Sequence, residues 1–234
     1  MSITIDHDIV PLIVERSSCV QLMLYLTELS IPLSLVRRTA LVVDPIVAAD
    51  QGYALKTWLS RHEGVAMRPW DAFPTEESVR LVGWRHQAPQ PSVLSAEIYA
   101  SHRQFTCRDG EEISLVGKVV PLRRTSRNGT IKRSRDAAEG YEAPNAAYEA
   151  WLRERLIDVM PYFDLRAFSI TSTVKRRVLR KFGVRSRQVV REQVIPVVTV
   201  EISGTIKNGA HLEEWLAKGV GPQKAFGFGA FLPC

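Results

Sequence analysis

The chain has 234 residues, 45% hydrophobic and 24% charged, with a formal net charge of +6. That length suits one large domain or two small ones, and the composition is ordinary for a folded domain. No run of about 18 apolar residues marks a membrane span, and the start Met1-Ser-Ile-Thr-Ile-Asp-His-Asp8 lacks the basic region of a signal peptide. Cys19, Cys107 and Cys234 are spaced for neither a zinc site nor a disulfide framework. A cytoplasmic protein with reduced thiols and no membrane partner is the expectation.

An apolar run over residues 9–14 predicts a first short strand. Ser17 and Ser18 offer caps for a helix over residues 19–29. Its apolar residues, Val20, Leu22, Met23, Leu24, Leu26 and Leu29, cover most of its surface and predict burial on more than one side. Pro32 ends it. Residues 33–43 are rich in β-branched side chains and are expected as a strand, with Arg37 and Arg38 at its middle. Residues 48–62 read as a helix with Tyr53, Leu55, Trp58 and Leu59 as its apolar members. Residues 64–91 are weakly patterned. Strands are expected over 79–84 and 92–99.

The second half is patterned more strongly. A strand is predicted over 113–121, then a basic loop over 125–135 around the turn signal Asn128-Gly129. A helix over 146–160 repeats Ala147, Trp151, Leu152, Leu156 and Val159 at helical spacing. A strand over 165–174 leads into a second basic stretch, 175–187, expected as a hairpin. Val198, Val200 and Ile202 alternate along a strand over 194–206, and Leu212, Trp215 and Leu216 share one face of a last helix. From about residue 105 the order is strand, helix, strand, strand, helix, strand, which is the ferredoxin-like split βαβ order. The first half can be fitted to the same order. The expected class is therefore α+β: two tandem ferredoxin-like (RRM-like) domains with antiparallel sheets, over residues 1–100 and 101–234.

Charge is placed unevenly. Residues 118–191 carry 18 Lys and Arg against 7 Asp and Glu, a net +11, and the rest of the chain is net −5. One third of the chain holds all the positive excess, the electrostatic footprint of a nucleic-acid binder; a solvated basic face is the plainer alternative. A glycine loop, Gly219-Val-Gly221-Pro-Gln-Lys224-Ala-Phe-Gly227-Phe-Gly229, follows the last helix. A dinucleotide fingerprint or P-loop needs a strand before its glycines and a helix after them. Here the order is reversed, so neither kind of nucleotide cradle is expected. Glycines still allow a phosphate backbone to approach closely.

The strand Val197-Val-Thr-Val-Glu-Ile-Ser-Gly-Thr-Ile, the helix after it and the Gly219–Phe231 loop together resemble the C-terminal motif of the CRISPR repeat-processing endoribonucleases of the RAMP superfamily, in the branch that serves Cascade-type complexes or in the type IV branch. Val119-Val-Pro121-Leu-Arg-Arg124, Gly129-Thr-Ile-Lys132-Arg133 and Trp151-Leu152 resemble the opening of that family's second domain, so the likeness spans about residues 112–234. It implies two ferredoxin-like domains side by side that bind the stem-loop of a CRISPR repeat RNA. It also implies one cut at the 3′ side of the stem, made without metal or cofactor, in which a 2′-hydroxyl attacks the neighbouring phosphate and leaves a 2′,3′-cyclic phosphate. The guide RNA then stays bound, and the protein is expected beside other subunits of an effector complex.

Many members of that family place a histidine in or near the first helix. This chain has none over residues 19–29, and His62 is the remaining histidine candidate, against a plain role at a helix C-terminus. The alternative is catalysis by arginine. Arg16 and Arg38 are the expected catalytic pair, with Arg37 beside them on the RNA. Arginine stays protonated and cannot act as a base, but it holds a phosphate bidentately. Arg123, Arg124, Arg127, Lys132, Arg133 and Arg135, and then Lys175, Arg176, Arg177, Arg180, Lys181, Arg185 and Arg187, are expected to read the shape and phosphates of an A-form stem. Gly219, Gly221, Lys224 and Gly227 are expected against the RNA backbone. An RNA-binding subunit of the same complexes without nuclease activity, and a general hairpin-binding protein, are the competing readings.

Overall fold

The computed structural model describes residues 23–43, 45, 49–88, 97–127, 131–140, 142–182 and 189–234. The expected strand over residues 9–14 lies outside them.

Thr27, Leu29 and Ile31 are fully buried at a spacing of two, the mark of a strand. Leu24–Pro32 is strand β1, not the C-terminal part of a helix. It pairs antiparallel on both sides, with β3 (Ser78–Arg85) and with β4 (Tyr99–Phe105). Leu26, Glu28 and Ser30 on its other face are only partly buried, and the apolar run from Val20 to Leu29 in the sequence has no periodicity that separates strand from helix. Residues 33–43 correct the opposite way: Leu33–Val43 is helix α1. Its buried residues are Val36 and Ala40, four apart, so helical spacing prevails over the β-branched content. Helix α2 (Gln51–Arg61) follows the expected 48–62 segment and buries Ala54, Leu55, Trp58 and Leu59.

The first sheet adds β2 (Trp70–Pro74) and has the order β2-β3-β1-β4. β4 belongs to it through Phe105, so the change of sheet comes after Phe105 and an expected division at residue 100 would cut β4. The expected strand over 92–99 begins only at Tyr99, residues 89–96 lying outside the described residues.

The second sheet is built from β5 (Glu112–Val119), β8 (Phe163–Phe182), β9 (Val189–Ile206) and β10 (Phe231–Pro233), in the order β10-β5-β9-β8. With α3 (Pro144–Leu156) after β5 and α4 (Gly209–Lys218) after β9, this is the ferredoxin-like arrangement, every neighbouring pair antiparallel. The first sheet has the matching strand order. The basic loop over 125–135 forms a ladder of its own: β6 (Leu122–Arg127) pairs with β7 (Ile131–Asp136).

The halves share one core. Leu24, Val82 and Trp84 from the first sheet pack with Leu115, Trp151, Leu216 and Phe231 of the second half. The Trp84 indole donates to the Phe231 carbonyl at 2.8 Å. The outer face of the first sheet is covered by α1 and α2 around Leu29, Ile31, Leu55 and Trp58.

Candidate nucleic-acid interface

β8 and β9 pair along their whole length, from Phe163 opposite Ile206 to Phe182 opposite Val189. At 20 and 18 residues they are far longer than ordinary strands. Their outer half is the second basic stretch. Lys175, Arg176 and Arg177 are exposed on β8. Arg180 and Lys181 continue the same strand, while Arg185 and Arg187 lie outside the described residues. Alternation along the strand gives this arm two faces. Val178, two residues from Arg176, is buried with Val120, Ile195, Val197 and Phe228. Arg177 faces the other way, and its Nε lies 3.5 Å from Glu192 Oε1 across the ladder.

The first basic stretch stands on the β6–β7 ladder. Its register places Arg123 opposite Arg135, Thr125 opposite Arg133 and Ser126 opposite Lys132, with Arg124 and Arg127 on β6. The Arg123 guanidinium donates to Glu154 of α3 at 3.2 Å. Arg123, Glu154, Arg155, Lys218, Gly221 and Lys224 line a cavity of about 620 Å³ between α3, β6 and the glycine loop.

The loop itself leaves α4 at Gly219, makes a 3-10 turn at Lys224–Phe226 and enters β10. Gly219, Gly221 and Gly227 all have positive φ, as expected of glycine. Their missing side chains face protein, not open space. A Cβ on Gly221 would sit 2.8 Å from the Trp151 ring, and one on Gly227 2.5 Å from the Trp70 ring. Close packing within the chain thus accounts for these glycines before any RNA is considered. The Lys224 ammonium turns back and donates to the Lys218 carbonyl at 2.6 Å and, at 3.4 Å, to that of Gly219. Burial pushes its pKa below the ordinary lysine value, and the neighbouring cations Arg68 and Lys218 push it further.

Arg16 lies outside the described residues. Arg37 and Arg38 were expected on a strand; both are exposed on helix α1. Arg37 lines a cavity with Leu33, Val36, Pro74 and Glu76, on the helical face of the first half. His62 is engaged in packing: its ring stacks on Trp58 with centroids 4.0 Å apart, and its Nδ1 is 2.8 Å from the Trp58 carbonyl oxygen. In the first half, helix α2 touches the glycine loop. Tyr53 packs edge-on against Phe226, centroids 5.0 Å apart, and the Lys56 ammonium lies 4.8 Å from the Phe226 ring centroid. Sequence reasoning took Tyr53 as core and passed over Lys56, because neither sits in a motif.

The family model described as "CRISPR associated protein" matches residues 108–232, more than half of the chain. The chain belongs to this CRISPR-associated family. Solved structures agree in fold. CRISPR endoribonuclease Cse3 bound to a 19-nucleotide RNA is 21% identical, with a TM-score of 0.60 over 91% of this chain and 99% of that one. Cas6e from Escherichia coli K-12 is 18% identical, with a TM-score of 0.53 over 90% of this chain and 98% of the other. A chain of a CRISPR RNA-guided surveillance complex is 18% identical, with a TM-score of 0.57 over 90% and 98%. No curated protein matches the chain. Among the described residues, this CRISPR-associated protein has no helix long and apolar enough to cross a membrane.

Proposed function

We propose that the protein is a metal-independent endoribonuclease that cuts CRISPR precursor RNA at the 3′ side of the repeat stem-loop and keeps the product as an effector-complex subunit. The observation that carries this reading is the long basic arm of β8 and β9 beside the glycine loop, in a chain of the CRISPR-associated family. One fold relative is named a CRISPR endoribonuclease and has RNA bound, and another is part of an RNA-guided complex.

In this reading the arm and the β6–β7 ladder grip the A-form stem through its phosphates, so affinity falls steeply with salt. The grip splays the strand at the stem base and brings the 2′-hydroxyl in line with the leaving oxygen. Cations meet the charge that develops on the phosphorane. Arg38, and Arg16 with it, hold the scissile phosphate, and Lys224 takes a neighbouring one.

Incubating the protein with a synthetic stem-loop of its host's CRISPR repeat in EDTA tests the proposal. We expect one cut, a 2′,3′-cyclic phosphate end, and complete block by a 2′-deoxy nucleotide at the cut. Tight binding of RNA that stays intact would instead make the protein a non-catalytic subunit.

A further inference from the structure

Two elements assigned above to RNA, the β8 arm and the glycine loop, meet at the first two turns of α2. The Asp50 carboxylate caps this helix, accepting from the Tyr53 N–H at 2.9 Å through Oδ1. Its Oδ2 accepts from the Leu179 N–H of β8 at 2.6 Å, which ties the basic arm to the helix. The glycine loop closes the third side. Phe226 lies against Tyr53, its carbonyl oxygen would be 3.5 Å from a Cβ on Gly52, and the Lys56 ammonium sits 4.8 Å from the Phe226 ring and 5.4 Å from the Tyr53 ring. The two rings hold the lysine stem across the junction, a favourable place for its cation.

The cleavage reading leaves one chemical role unfilled. A 5′-oxygen departs readily only when it receives a proton, and the arginines placed on the phosphate cannot release one. His62 stacks on Trp58 within the first half, Asp50 accepts from two backbone N–H groups, and Lys224 is assigned above to a neighbouring phosphate. A lysine, unlike an arginine, exchanges its proton during catalysis.

We infer that Lys56 is the general acid of RNA cleavage, presenting its ammonium to the departing 5′-oxygen where α2, the glycine loop and the β8 arm converge. The inference rests on the endoribonuclease reading above. In the step, the 2′-hydroxyl gives its proton to water as the 2′-oxygen–phosphorus bond forms. The phosphorus–5′-oxygen bond breaks, and the 5′-oxygen takes a proton from Lys56. Water then returns a proton to the amine.

The decisive variant is Lys56→Met, which keeps an unbranched stem between the Phe226 and Tyr53 rings. The substrates are the repeat stem-loop RNA and the same RNA with sulfur in place of the bridging 5′-oxygen at the mapped cut, since a thiolate leaves without a proton. We expect K56M to slow single-turnover cleavage of the oxygen substrate by about a hundredfold or more. It should cut the sulfur substrate at the wild-type rate and bind uncleavable 2′-deoxy RNA normally. The last two results exclude a merely structural effect. Unchanged cleavage of the oxygen substrate by K56M overturns the assignment, and so does a defect that sulfur fails to relieve. If the wild-type protein cuts neither RNA, the endoribonuclease reading itself has failed.

Discussion

Lys118 of β5 closes its ammonium on Asp71 of β2, 2.9 Å from Oδ2 and 3.1 Å from Oδ1, and so joins the two sheets. Asp71 is almost fully buried, while Lys118 keeps about a third of its side chain in solvent. Burial pushes the Asp71 carboxyl above its ordinary value, although Lys118, the Ala72 N–H and Arg176 all pull the other way. Ionising Asp71 therefore costs more in the folded chain than in the unfolded one. Its contribution to stability is full below the unfolded carboxyl value and is lost as pH rises through the folded value. We expect Lys118→Met to destabilise by about 3 kcal/mol at neutral pH, because it strands a buried charge, and less in acid, where Asp71 takes a proton. Asp71→Asn keeps the shape and should cost only about 1 kcal/mol. Urea unfolding at neutral and acidic pH compares the two.

Gly227→Ala should loosen the glycine loop. The position has φ of 83°, and the new methyl would meet the Trp70 ring. The left-handed backbone and the overpacking together are expected to cost about 3 kcal/mol. A lowered Tm with weakened RNA binding is the expected result, and an unchanged Tm would show that the loop and Trp70 do not pack as described.

Lys224→Ala should weaken RNA binding and cleavage together. The loss of one phosphate contact lowers the slope of log affinity against log salt by about one. Burial, Arg68 and Lys218 depress the Lys224 pKa in the free protein. A bound phosphate favours the ammonium and raises that pKa, so binding takes up a proton once pH has passed the free-protein value. Affinity should therefore fall as pH rises through that value in the wild type, and this component should vanish in Lys224→Ala. Titrations across alkaline pH at fixed salt measure it.

Arg38→Ala should slow cleavage more than it weakens binding, since one exposed guanidinium on α1 adds little to the grip of the whole basic arm. Single-turnover rates set beside dissociation constants read the split. A rate unchanged from the wild type would remove α1 from the chemistry.

Much of the second half was legible in the sequence. The alternation of Val198, Val200 and Ile202, the helical repeat from Ala147 to Leu156 and the face made by Leu212, Trp215 and Leu216 each correspond to an element of the fold. Periodicity works there because each element buries one face. The uneven charge and the glycine loop also pointed to RNA, since both are properties of composition and order along the chain. The first half escaped the same reasoning. β1 lies between two neighbouring strands and reads like a buried helix, whereas α1 hides helical spacing under β-branched residues. Only tertiary packing separated them. It also turned the glycines toward Trp151 and Trp70, joined Asp71 to Lys118 across the sheets, and carried Tyr53 and Lys56 to Phe226. Local sequence determines which face of an element is apolar, but contacts between residues far apart in the chain depend on how the two sheets pack, and no short window contains that information.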